Sequence, residues 1–155
     1  MVVPLALLLG VAGCGSQTSG GVSSTDGSAL YSCATETRAP PYMPGMTETS
    51  SGGRFVTTLM TSMPAPPAQG SDDWMIQVAD TSGSPVDGLS IVVTPFMPDH
   101  GHGTSVQAVV TDQGNGVYSL APLYLFMEGY WTVTLNFQGG AAGVADSVMF
   151  PVCIP

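Results

Sequence analysis

The chain has 155 residues, with 2 basic against 11 acidic side chains and a formal net charge of −9, and it contains 3 cysteines. That excess of negative charge makes nucleic acid and anionic lipid headgroups poor partners, although it favours the approach of cations. The length leaves room for a signal segment, a tether and one domain of about 100 residues with a single small core.

Residues 1–13 carry no charged side chain and include the run Leu5, Ala6, Leu7, Leu8, Leu9. The run is too short to span a bilayer, which takes about 20 apolar residues, and fits the apolar region of a signal peptide. It ends in Val11-Ala12-Gly13-Cys14, small residues before a cysteine, as a lipoprotein signal peptidase requires. The expectation is cleavage before Cys14 and lipid on that cysteine, so that the membrane is reached through a lipid anchor. The segment before the apolar run lacks Lys and Arg, which departs from the usual pattern. Gly15 in place of an aspartate removes one inner-membrane retention signal and favours the outer membrane.

Residues 14–53 read as a tether followed by a proline-rich strap. Ser, Gly and Thr dominate its start, as expected of a disordered tether, and Pro40, Pro41 and Pro44 then argue against helix and for an extended strap. From residue 54 the pattern changes to a period of two. Phe55, Thr57, Leu59, Thr61 and Met63 form one alternating set that stops at Pro64, and Trp74, Ile76 and Val78 form a second. Leu89, Ile91 and Val93 make a third strand, Val106, Ala108 and Val110 a fourth, and residues 117–120 begin a fifth after a Gly-Asn-Gly turn. Trp131, Val133, Leu135 and Phe137 give the clearest half-buried strand, and residues 145–152 the last. About seven strands and no helical period predict an all-β fold, an Ig-like antiparallel β-sandwich over residues 54–155. The Cys-Trp-Cys framework of antibody domains is missing, so the likeness is one of architecture.

With Cys14 assigned to lipid, Cys33 and Cys153 remain as a pair in an oxidising compartment, and a disulfide between them is expected. The segment Met97-Pro98-Asp99-His100-Gly101-His102-Gly103 holds both histidines of the protein. Imidazoles at i and i+2 point the same way in an extended segment, Met97 adds a thioether and Asp99 a carboxylate. That mixture suits copper better than zinc. The histidines can equally be plain polar surface of a loop between strands. Met43, Met46 and Met127 are placed to bring further sulfur, whereas Met60, Met75 and Met149 fall in strand patterns and read as core filler. No nucleophile elbow, phosphate loop or Cys–His pair is present, which argues against an enzyme.

The strand ending in Met97-Pro98, the His100 to His102 cluster, the Gly116-Val117-Tyr118 hairpin exit and the later Met127, Gly129, Trp131 and Val133 together resemble a YtkA-like domain. That family is similar in pattern to the periplasmic FixH proteins of respiratory-oxidase assembly. The resemblance covers residues 74–152 and implies a sandwich outside the cytoplasm with copper handling at Met97, His100, His102 and Met127. A metal-accepting envelope protein would then be its partner. A common form of the family has methionine where this chain has Gly101 or His102. The competing expectation is a structural or protein-interaction module without metal.

Overall fold

In the computed structural model, residues 31–139 and 145–155 are described. Cys14, the signal segment and most of the tether lie outside them. The described chain forms nine strands: β1 (Met46–Thr49), β2 (Phe55–Met63), β3 (Gly70–Asp80), β4 (Leu89–Met97), β5 (His102–Gly103), β6 (Val109–Gly114), β7 (Val117–Leu125), β8 (Gly129–Gly139) and β9 (Asp146–Ile154). They build two antiparallel sheets, one of five strands in the order β1-β2-β3-β7-β6 and one of four in the order β5-β4-β8-β9. The all-β sandwich expected from the period-two pattern is therefore observed.

Alternation explains the core. In β4, Leu89, Ile91, Val93 and Met97 point inward while Val92, Thr94 and Phe96 face out, and β8 repeats the pattern with Trp131, Val133, Leu135 and Phe137. The two sheets meet through edge-on aromatic pairs, Phe55 on Phe137 at 5.4 Å and Trp74 on Phe150 at 6.2 Å. Such contacts add about 0.5–1.5 kcal/mol each beyond the area they bury. The β6–β7 turn uses Gly114, Asn115 and Gly116 at φ of 80°, 58° and 72°. Gly116 is also in close approach, since a Cβ there would stand 2.4 Å from the Val78 carbonyl oxygen.

The structure departs from the sequence reading in several places. Strands β1 and β5 were not expected, the first lying inside the strap and the second inside the histidine segment. Strand β6 begins at Val109, not at Val106, which sits in an exposed loop. Strand β2 does not keep one inward set to its end: the register shifts between Leu59 and Thr61, so Ser62 is buried and Met63 is 74% exposed. Met60 and Met149 lie in strands but on outward faces, 38% and 44% exposed, and are not core filler. Met75 is partly exposed as well.

The strap is held at several points. Cys33 and Cys153 form the expected disulfide, with Cα atoms 5.6 Å apart. Tyr42 accepts a hydrogen bond from the Ser62 amide at 2.9 Å, and Ala39 is buried. At the other end, Asp146 gathers the 50–52 turn: its carboxylate accepts from the Ser50 hydroxyl at 2.6 Å and the Gly52 amide at 2.7 Å. Burial alone would raise its pKa, but these donors prevail and lower it to about 2.

Candidate functional site

The histidine segment folds as a tight turn at the open end of β4. After Met97, the amides of His100 and Gly101 both donate to the Met97 carbonyl, at 3.2 and 2.9 Å, and Gly101 takes a φ of 69° that glycine allows. The chain then pairs back on itself, with His102 opposite Met97 and Gly103 opposite Phe96. Opposed residues of an antiparallel pair lie on one face of the sheet. Met97 is buried, so His102 inherits the inward face and is half-buried.

Around His102 the structure supplies a set of rings. Phe126 stacks on the imidazole at 5.5 Å and 21°, Trp131 meets it edge-on at 6.3 Å, and the His100 ring stands 5.6 Å away. Tyr124 continues the stack on Phe126 at 6.1 Å. The Nδ1 atom of His102 is inaccessible to water and has no hydrogen-bond partner. A buried imidazole nitrogen without a partner costs stability. Beside it, Met97 reaches over Gly129, where a Cβ would fall 2.4 Å from the methionine methyl carbon.

Of the sequence-selected residues, Met97, His100 and His102 share this turn. Met127 lies on the neighbouring 126–128 connection, partly buried against the same core as Phe126. Its carbonyl accepts the Trp131 indole N–H at 2.9 Å, which fixes the connection to the base of β8. Replacing Trp131 by phenylalanine should therefore cost about 2–4 kcal/mol, from the lost hydrogen bond and from the cavity left by a smaller ring in the core. A thermal or denaturant melt of the variant checks this, and an unchanged midpoint would count against it.

Two expectations need correction. Met43 and Met46 do not approach the histidines: they belong to the strap and the β1 edge, which packs on the side of β9, while β5 closes the opposite edge of the other sheet. Asp99 is not a free carboxylate beside the imidazoles. Arg38 of the strap binds both of its oxygens, at 2.6 and 2.7 Å, and this contact holds its pKa below the usual carboxylate range. The same guanidinium donates to Glu36 and lies 4.1 Å over the Tyr130 ring. Arg38 was not singled out from the sequence. Its scarcity was the available signal, since a chain with 2 basic and 11 acidic residues gives each arginine many possible partners.

Among the described residues, no group of three or more His, Cys, Asp and Glu side chains could hold a metal ion. A separate apolar cavity of about 330 Å³ lies under the strap beside the disulfide, lined by Tyr42, Pro40, Pro66, Pro67 and Pro151 among others. Neither histidine lines it.

A family model described as YtkA-like matches residues 56–136. No curated protein and no solved structure matches the chain. The matched span runs from β2 into β8 and takes in the histidine turn, the ring stack and Met127, whereas the strap and β9, which carry the disulfide, lie outside it.

Proposed function

The chain belongs to the YtkA-like family, and from that premise we propose that it is a non-enzymatic, lipid-anchored protein of the cell envelope that binds or delivers copper. Met97, His100, His102 and Met127 would hold the ion, with zinc the less suited alternative. The observation that carries this reading is the buried, unpartnered Nδ1 of His102 placed opposite the buried thioether of Met97. Imidazole nitrogen with methionine sulfur is a donor set that suits copper, and zinc has less use for the sulfur. A bound ion would take the lone pair that the protein leaves unmatched.

The chain's own residues do the rest. Phe126 and Trp131 hold the His102 ring in place, and the hydrogen bonds to the Met97 carbonyl fix the turn that carries His100. His100 is exposed and stands at the entrance. Such an arrangement has an inner, preorganised ligand pair and an outer ligand able to receive or hand on an ion. Export is supported by the Cys33–Cys153 disulfide, a bond that persists in oxidising compartments. Cys14 would carry the lipid, the outer membrane being the favoured site, and a metal-accepting envelope protein would be the partner.

Titration of the full mature protein with copper tests the reading. Near-stoichiometric binding is expected, lost when His100 and His102 are both replaced by alanine and weakened in Met97→Ala. Binding unchanged in the double histidine variant, or absent in the wild type at micromolar copper, would overturn it. The second reading, a protein-interaction sandwich, rests on the outer face of the four-stranded sheet, where Val92, Phe96 and Met149 are exposed. It would then be favoured.

A further inference from the structure

Within the turn from Met97 to Gly103, Asp99 is the only anionic side chain, and it is already engaged. The Arg38 guanidinium meets it fork to fork, Nη1 on Oδ1 at 2.6 Å and Nη2 on Oδ2 at 2.7 Å. Arg38 is itself braced, by Glu36 through Nε at 2.9 Å and Nη2 at 2.7 Å, and by the Tyr130 ring beneath it. A planar bidentate pair of this kind fixes both partners in direction as well as distance. The carboxylate thus faces the strap and its charge is matched there.

What remains for a metal ion is neutral. Imidazole and thioether carry no charge, and behind the exposed His100 Met97 is buried while His102 and Met127 are half-buried. Drawing a divalent ion into such a place without a negative ligand leaves an uncompensated double charge away from water, which is costly; a monovalent ion costs far less. Soft sulfur adds to the same preference. Among the described residues, no three His, Cys, Asp and Glu side chains come together as a group that could hold an ion.

Resting on the copper reading above, we propose that Arg38 is a selectivity-determining residue: by withholding Asp99 from the turn, it leaves a site that takes Cu(I) in preference to Cu(II) and Zn(II). Arg38 belongs to the strap, outside the span matched by the family model. The selectivity is therefore added to the sandwich by an appended segment. Its role is indirect, since it touches a residue of the turn and no ion.

The test compares Cu(I), Cu(II) and Zn(II) affinities of the full mature protein by competition with chelators of known strength, in the wild type, Arg38→Gln, and Arg38→Gln with Asp99→Asn. The wild type should hold Cu(I) more tightly than either divalent ion. Arg38→Gln should raise divalent affinity by up to about 5-fold, the gain that freeing Asp99 from an exposed ion pair permits, and leave Cu(I) affinity nearly unchanged. Adding Asp99→Asn should return divalent affinity to the wild-type level. Both variants lose the same exposed ion pair, worth only about 0–1 kcal/mol, so a merely structural role would make them behave alike. Equal affinities for the three ions in the wild type, or no divalent gain in Arg38→Gln, would overturn the selectivity role while leaving copper binding intact. Failure of the wild type to bind copper in any form would overturn the copper reading, and this inference with it.

Discussion

Replacing Cys33 and Cys153 together by alanine is expected to lower the unfolding free energy by about 2–5 kcal/mol, the usual range for removing a native disulfide from a small exported domain. The two cysteines are 120 residues apart in sequence, so the bond closes most of the domain into one loop. Long loops lose the most unfolded-state freedom on closure. The bond also decides where the strap lies. Without it, residues 31–44 are held by the Tyr42 contact, a small buried Ala39 and the Arg38 cluster, and exposed ion pairs contribute little. Two measurements check this: the denaturant midpoint should fall, and limited proteolysis should cut residues 34–44 in the variant before it cuts the sandwich. Equal midpoints, or a strap as protected as in the wild type, would show that packing alone fixes it.

The strap also determines how much of the site could be read from the sequence. The long strands were legible because burial on one face forces a period of two over many residues, as in β4 and β8. Strands β1 and β5 were not, since four residues and two residues carry too little alternation to register. The slip in β2 was hidden for a related reason. Thr61 and Met63 continue the alternation in the letters, but the register shift after Leu59 turns Ser62 inward instead. The cysteine pair could be deduced by elimination, because one of three was assigned to lipid and two were left.

At the site, the residues of the turn were visible as a cluster of suggestive types, and the sequence could not say which way they face. Three features set the geometry: the hairpin that places His102 opposite Met97, the stacking of Phe126 on the imidazole, and the capture of Asp99 by Arg38. The first depends on a two-residue strand. The second joins β5 to the connection between β7 and β8, and the third joins residues 61 apart in the chain. Each is a product of tertiary packing and leaves no local pattern. Asp99 illustrates the consequence: among the letters it is a carboxylate beside two imidazoles, whereas in space it belongs to the strap.

Replacing Asp72 by asparagine is expected to stabilise the protein at neutral pH and to remove part of its pH dependence. Asp72 lies on β3 opposite Leu123 of β7 and is fully buried. Its Oδ1 accepts the Ala68 amide at 3.0 Å, while Oδ2 has no partner. Burial raises its pKa from 3.8 to about 6, opposed by the Ala68 amide and the nearby Ser62 hydroxyl, and assisted by the negative charge of Asp73. A carboxyl whose folded pKa is raised binds its proton more tightly in the folded state. Its favourable contribution is therefore complete below about pH 4 and is lost as pH rises through about 6. A shift of this size corresponds to about 2–3 kcal/mol. The lowered carboxylates, Asp146 among them, act in the opposite sense and at more acid pH, and they cancel when variant and wild type are compared. Asparagine keeps the acceptor for Ala68 and carries no charge. The stability difference between Asp72→Asn and the wild type should thus grow by about 2–3 kcal/mol in favour of the variant between pH 4 and pH 7, and stay level above that. Denaturant unfolding at a series of pH values measures it directly, and a difference that stays flat from pH 4 to 8 would show that the buried carboxyl is charged in the folded protein throughout that range.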